Sequence, residues 1–216
     1  MSYHDLGEKK LGSTLEGLSP ATRQLALGSV PPTPELLRQA REAVGTGEER
    51  TYFGLASLAL ARDQRWEDLF ALYDERLGPY GELARNRLSV TDTMWMGAYA
   101  TLALRKIGRN EDSARVLAKV EEACMKLAAN GRFLPADIWM TMAQHHAVNG
   151  KPSQALEEMR RALAYGWIGQ DSFYQDLAQD PLLGPLRGDP AFEDMRSQLR
   201  DKLARERAQA RAADLI

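Results

Sequence analysis

The sequence has little that would cross-link the chain or anchor it in a membrane. Cys124 is the only cysteine among 216 residues, so an intramolecular disulfide is excluded and a four-ligand zinc site is not expected. The apolar runs fall well short of the roughly 20 residues that span a bilayer, and the first residues lack the basic-then-apolar order of a secretory signal. We therefore expect no membrane span and favour a cytoplasmic location. A periplasmic location fits if the chain is a fragment of a membrane-anchored protein.

The sequence also lacks a large net charge and nearly every signal of a β-strand. Its 28 Lys and Arg residues almost balance 30 Asp and Glu residues, which gives no overall reason to expect nucleic acid or an anionic membrane as a partner. Few windows alternate apolar and polar residues, and no Asn-Gly or Asp-Gly pair joins two β-rich runs. These absences predict an all-α protein.

The N-terminal part of the chain divides in two. Residues 1–32 contain Gly, Ser and Pro with weak periodicity, which indicates a tail or a loosely packed arm. Thr33 can cap a helix whose first position is Pro34. We therefore predict a helix near 34–45 and the start of a helical domain at residue 33.

Three helix-turn-helix passages then recur at a regular period. Their polar breaks lie near Gln64, Gly108 and Gly150, which are 44 and 42 residues apart. Such a period indicates stacked helical hairpins rather than a string of unrelated helices. We predict a right-handed α-solenoid of about three hairpins with a C-terminal capping helix.

The third passage has the spacing of a tetratricopeptide repeat (TPR). An aromatic, a large apolar, a small and a ring residue on one helix are followed by small, large and small residues on the next. These residues are Trp139, Met142, Ala143 and His146, followed by Ala155, Met159 and Ala162. The small residues predict a close approach of the two helices.

The other two passages follow this spacing less completely. In the first passage, Phe53 and Leu69 are separated by 16 residues, as are Trp139 and Ala155. In the middle passage, two small residues of the second helix match the repeat spacing. Its first helix fits that spacing in two alternative registers. The small residues are Ala114 and Ala118, and the two registers centre on Trp95 or on Ala98.

The C-terminal part predicts a cap on the repeats. Asp180-Pro181 and Asp189-Pro190 each place a capping residue before a proline at a first helical position. Leucines after the first pair are predicted to cover the third hairpin, and one apolar stripe defines a capping helix from about residue 190. The leucines are Leu182, Leu183 and Leu186, and the stripe is Phe192, Met195, Leu199 and Leu203. The helical domain therefore spans 33–204, and 205–216 form a charged helical overhang.

Residues 150–167 and 180–192 together resemble a known family. The two stretches read Gly-Lys-Pro-Ser-Gln-Ala-Leu-Glu-Glu-Met-Arg-Arg-Ala-Leu-Ala-Tyr-Gly-Trp and Asp-Pro-Leu-Leu-Gly-Pro-Leu-Arg-Gly-Asp-Pro-Ala-Phe. They are similar to the C-terminal TPR domains of bacterial winged-helix regulators and related signalling proteins. The resemblance covers roughly 134–210 well and 50–130 only loosely. It implies a TPR fold and supplies no catalytic positions.

The search for chemistry in the sequence returns no catalytic, cofactor-binding or metal-binding residue. The histidines are His4, His145 and His146; the last two are adjacent on a helix and point about 100° apart, so they cannot share a metal as residues four apart do. We predict that His146, at the ring position of the repeat, packs in the core. Phosphate-binding glycine loops and the G-x-S-x-G elbow are absent from the sequence.

The sequence therefore favours a protein-interaction scaffold and not an enzyme. A protein or peptide segment is expected to bind in the groove lined by the first helix of each hairpin. The candidate groove residues are Leu58, Arg62, Tyr99, Arg105, Asp137, Met140 and Gln144. A regulatory or sensory module of a bacterial signalling system is the second hypothesis, and an enzyme with an irregular helical active site is the third. The identity of the partner and the oligomeric state stay open.

Overall fold

A computed structural model describes residues 34–43, 49–77, 90–129, 136–167 and 177–212. This part of the chain is helical and contains no strand, which confirms the prediction of an all-α protein. Its α-helices are α1 (Pro34–Glu42), α2 (Glu49–Arg62), α3 (Trp66–Leu77), α4 (Val90–Lys106), α5 (Asn110–Ala129), α6 (Ala136–Val148), α7 (Pro152–Ala164) and α8 (Pro190–Ala212). Two 3-10 helices, Leu177–Gln179 and Pro181–Leu186, lie between α7 and α8.

The three predicted passages are helical hairpins with one common turn. Helices α2 and α3, α4 and α5, and α6 and α7 pack in pairs. Each turn contains one residue with a left-handed backbone: Gln64 (φ 56°), Gly108 (φ 79°) and Gly150 (φ 72°). In each turn the amide after this residue donates to the carbonyl five residues back, which is the Schellman end of a helix. These bonds join Arg65 to Leu60, Arg109 to Leu104 and Lys151 to His146, each at 2.9 Å.

The middle hairpin corrects one sequence prediction. Ala114 and Ala118 are exposed, so their assignment to the helix interface is wrong. The buried small residue is Ser113, which stands five residues after the left-handed Gly108, as Ala155 does after Gly150. Because α5 keeps this distance from its turn, the matching position falls one residue earlier than predicted.

The same hairpin brings its helices together at a glycine. Gly97 lies 16 residues before Ser113, and a Cβ atom added to it would lie 2.1 Å from Cγ2 of Val120 on α5. Any larger residue at this point would therefore push the two helices apart. Of the two registers left open, Ala98 is buried, and the side chain of Trp95 lies outside the described residues.

The first helices of the hairpins lie next to one another. Helix α2 contacts α4, and α4 contacts α6. Helix α1 packs on α2 at one end, and α8 packs on α7 at the other. The predicted helix near 34–45 and the capping helix from about 190 are thus confirmed. Residues 1–32, predicted to be a tail or arm, lie outside the described residues.

Helix α8 is buried only in its first half. Phe192, Met195 and Leu199 are buried and Leu203 is half-buried, as the stripe predicted. After Leu203 every side chain that the structure describes on α8 is exposed. The overhang at 205–216 stays a prediction, and 213–216 lie outside the described residues. Among the described helices, none has the length and apolar character needed to cross a membrane.

Candidate functional site

Residues 181–186 pack against a surface to which all three hairpins contribute. This second 3-10 helix contacts α2, α4 and α6, the first helix of each hairpin. We call the surface of these three helices the inner face, and residues 177–189 the closing segment. The inner face of this protein is therefore in contact with a segment of its own chain.

The closing segment turns into its 3-10 helix because Asp180 caps it. Pro181 takes the first helical position, and Asp180 Oδ1 accepts a hydrogen bond from the Leu182 amide at 2.8 Å. Proline fixes φ at a helical value and needs no partner for an amide hydrogen. The Asp-Pro pair thus provides a local start for the turn.

The inner face holds the same carboxylate from the other side. Gln144 on α6 donates from Nε2 to Asp180 Oδ2 at 2.6 Å, and only 1 % of Asp180 is exposed. Arg187 also reaches back and donates to the Asp180 carbonyl oxygen at 3.5 Å. A buried carboxylate is costly unless it accepts hydrogen bonds, and here both of its oxygens do.

The leucines of the closing segment are shared between two cores. Leu183 and Leu186 are buried with Met140 and Ala143 of α6, which agrees with the predicted cover on the third hairpin. Leu182 belongs instead to the larger core, to which all the helices from α1 to α6 contribute, with Tyr99 among its members. The segment therefore packs into both cores, which the sequence did not predict.

Three of the seven predicted groove residues are buried beneath or beside this segment. Gln144 holds Asp180, and Met140 lies in the cluster with Leu183. Tyr99 is buried and its ring stacks on Tyr73 at a centroid distance of 6.1 Å and an interplanar angle of 12°. These three residues stabilise the folded chain as it stands.

The other four predicted residues are spread along the helices. Leu58 and Asp137 are half-buried, and Arg62 is exposed and lies 3.4 Å from the Asp63 carboxylate. Arg105 donates from Nη1 to the Val148 carbonyl oxygen at 2.6 Å, which satisfies an otherwise open carbonyl at the end of α6. The structure does not gather these four residues into one cluster.

Sequence reasoning missed the part of Asp180 in this site. The Asp-Pro pattern predicts only a helix cap, which explains the hydrogen bond of one carboxylate oxygen. The second oxygen meets Gln144, 36 residues earlier in the chain. Such a contact follows from packing and leaves no local pattern, although Gln144 was itself among the candidates.

A second group of polar side chains lies where α5 meets the turn between α6 and α7. Lys151 Nζ and Asn149 Nδ2 donate to Glu121 Oε1 at 2.5 Å and 3.0 Å. The Lys151 ammonium, helped by Asn149, holds the pKa of Glu121 below its usual range, against the opposing effect of burial. This contact fixes the turn to α5.

The histidine next to this group corrects another prediction. His145 is fully buried, whereas His146, predicted to pack in the core, is only half-buried. Helix α6 is covered on nearly all sides, so the repeat spacing does not select which of its residues is deepest. Burial and, to a smaller degree, the neighbouring His146 lower the pKa of His145 to about 4, while Glu121 opposes the shift.

Neither region forms a metal cluster in the described part of the chain. There, no group of three or more His, Cys, Asp or Glu side chains is placed to hold a metal ion. The comparisons with known proteins add no family: no protein-family model, curated protein or solved structure matches the chain. The inner face is therefore the feature of the molecule from which a function can be inferred.

Proposed function

We propose that this chain is a non-catalytic scaffold of the tetratricopeptide type, which binds a protein or peptide segment on its inner face. Under this proposal the three hairpins form a right-handed α-solenoid whose first helices line the groove. The shared left-handed turns and the contacts of α2 with α4 and of α4 with α6 support this arrangement.

One observation carries the proposal: the inner face already holds a short peptide segment in cis. It buries three leucines and provides an amide donor for a carboxylate. Peptide-binding grooves work in this way, because apolar pockets supply affinity and a few polar groups set the register. Of the remaining candidates, Arg62 and Arg105 are exposed, and Leu58 and Asp137 are half-buried.

The test compares two charge substitutions. Leu58→Glu alters the inner helix α2, and Ala118→Glu alters an exposed position on α5 that lies outside the inner face. Met140 is unsuitable because it is buried and a charge there would disturb the fold. Partners captured with the purified chain are retested one at a time by isothermal titration calorimetry, with circular dichroism to verify folding.

We expect Leu58→Glu to weaken binding by about tenfold or more, because a charge would have to be desolvated at the contact. Ala118→Glu should bind like the unmodified chain. Equal affinities for the two variants would remove the inner face from the proposal. A cofactor or metal present at one equivalent in the purified protein would argue for an enzyme instead.

A regulatory module of a longer signalling chain is the second candidate. The observation that favours it is residues 180–192, which carry the family resemblance and also connect the inner face to α8. The discriminating experiment is to sequence the DNA upstream of the Met1 codon. A winged-helix or kinase segment in the same reading frame would support this candidate, and a stop codon would exclude an N-terminal fusion.

A further inference from the structure

The closing segment differs from the helices around it in how it is attached. The backbone hydrogen bonds that the structure shows inside it are local: Asp180 donates to Leu177, Leu183 to Asp180, Arg187 to Gly184 and Asp189 to Leu186. Its contacts with the inner face include the Gln144–Asp180 hydrogen bond and the packing of its three buried leucines. None of these local backbone bonds has to break for the segment to leave the inner face.

The inner face would change sharply if the segment left. Gln144 would lose the carboxylate that it binds at 2.6 Å. The apolar surface that covers Leu182, Leu183 and Leu186 would be open to water. An open face of this kind favours any ligand that restores the same contacts.

We infer that the closing segment is a resident ligand, and that the partner displaces it with a segment of the same chemistry. That partner segment carries a carboxylate at a turn, followed within six residues by at least two large apolar side chains. This inference rests on the proposed function and names the partner class of the same face. The occupant seen in cis supplies the argument, because it shows which groups the face accepts.

Competition in cis has a measurable consequence. The free chain holds its own segment in place, so a partner binds only to the fraction of molecules in which the segment is open. Weakening the contacts between the closing segment and the inner face should therefore strengthen the binding of a separate peptide. A purely structural segment predicts the opposite, since loosening the fold would weaken or abolish binding.

The probe is a fluorescein-labelled synthetic peptide with the sequence of residues 177–189, and binding is measured by fluorescence anisotropy. The full-length double variant Asp180→Ala/Leu182→Ala removes two contacts of the resident segment and leaves the inner face unaltered. Its matched control is Asp189→Ala. Asp189 caps α8 through the Ala191 amide at 2.8 Å, so this variant loosens the same region without removing the Gln144 contact.

We expect the peptide to bind the double variant at least about tenfold more tightly than the unmodified chain, and Asp189→Ala to show no gain. Adding Gln144→Leu to the double variant should weaken peptide binding by about tenfold relative to the double variant, because the peptide carboxylate loses its donor. A peptide with Asn in place of its first Asp should bind more weakly than the parent peptide. Equal binding to the double variant and the unmodified chain would overturn the inference.

Hydrogen exchange on the unmodified chain provides a second readout that is independent of how well the double variant folds. Excess peptide should speed exchange at the Leu182 and Leu183 amides and leave the amides of α7 protected. Bound peptide without faster exchange would overturn the inference. A dimer of the unmodified chain that the peptide dissociates would identify a second copy as the occupant, which also overturns it.

The two proposals fail in different ways. If the peptide does not bind but Leu58→Glu still weakens a captured partner, the inner face is a binding surface and only the resident-ligand inference is lost. If neither the peptide nor Leu58→Glu has an effect, the proposed function is lost as well.

Discussion

The first and third hairpins share the same repeat spacing but differ in whether their buried polar groups have hydrogen-bond partners. In the first, the Ser57 hydroxyl donates to the Phe53 carbonyl oxygen at 2.6 Å and lies 2.9 Å from the Tyr73 hydroxyl, which therefore donates to it. The Tyr73 ring also meets Phe53 edge-on at a centroid distance of 5.2 Å. Each polar atom of this pair has a partner.

The third hairpin buries ionisable groups without such partners. Among the described residues, neither ring nitrogen of His145 has a hydrogen-bond partner. Oε2 of Glu158 has no hydrogen-bond partner either, and its one charged neighbour shown is Arg161 Nη1, at 3.5 Å. Burial raises the pKa of Glu158, and Arg161 opposes the shift. A buried polar group without a partner costs free energy.

The comparison teaches that one repeat spacing can produce cores with different responses to pH. Burial raises the pKa of Tyr73 far above neutrality, so the polar pair of the first hairpin keeps its protons across the physiological range. His145 has the opposite behaviour, because burial keeps it neutral only above about pH 4. His145 therefore makes the third hairpin sensitive to acid.

The largest expected effect is the acid sensitivity that His145 confers. Its pKa falls from 6.5 when the chain is unfolded to about 4 in the folded state. The stabilisation is fully present above pH 6.5 and is lost as the pH falls from 6.5 to about 4. At about 1.4 kcal/mol per pKa unit, the free energy of unfolding should drop by roughly 3 kcal/mol over this window.

Urea unfolding between pH 7 and pH 4 measures this drop. His145→Leu should remove most of it, since leucine does not titrate, and subtracting the two curves cancels the contributions of the carboxylates. His146→Leu is the matched control and should remove less, because His146 is only half-buried. If His145→Leu keeps the full acid dependence, the buried neutral histidine is not its source.

A second prediction tests how closely the helices of the third hairpin approach. Ala155 is fully buried between α6 and α7, so Ala155→Trp should overpack the contact and cost about 1–3 kcal/mol. Ala114 on α5 is exposed, and Ala114→Trp should cost less than about 1 kcal/mol, mainly from lower helix propensity. Urea midpoints measure both. Equal losses would mean that Ala114 is in the interface after all.

Much of the fold could be predicted because it depends on local patterns. Pro34 and Pro190 begin helices where the capping signals place them, and the glycine breaks end helices as expected. The register of the middle hairpin could not be predicted reliably. Ala114 and Ser113 are both small, and only the distance from the turn separates them.

The candidate site could be predicted only in part, for a different physical reason. Placing Gln144 on a first helix follows from the repeat pattern, but the face it belongs to is completed by Asp180, far along the chain. The depth of His145 likewise depends on how many neighbours cover α6. Contacts between distant segments have no sequence period, so a single sequence does not show them.

The smallest expected effect concerns the turns, where the first hairpin departs from the other two. Gln64 adopts φ 56°, whereas Gly108 and Gly150 occupy the matching positions at φ 79° and 72°. A left-handed backbone costs an L-residue with a side chain about 1–2 kcal/mol, and glycine avoids this cost. Glycine also gives the unfolded chain more freedom, which offsets part of the gain. Gln64→Gly should therefore raise the free energy of unfolding by roughly 0.5–1 kcal/mol.

The matched control is the reverse change in the third hairpin, Gly150→Gln. A Cβ atom at Gly150 would meet nothing within 4 Å, so any loss comes from the backbone and not from a clash. It should lower the free energy of unfolding by about 1 kcal/mol, with an unchanged slope against urea concentration. Opposite signs for the two variants would show that the turns share one backbone requirement that the first hairpin meets at a cost. A loss in Gln64→Gly would mean instead that the exposed Gln64 side chain contributes more than its backbone strain takes away.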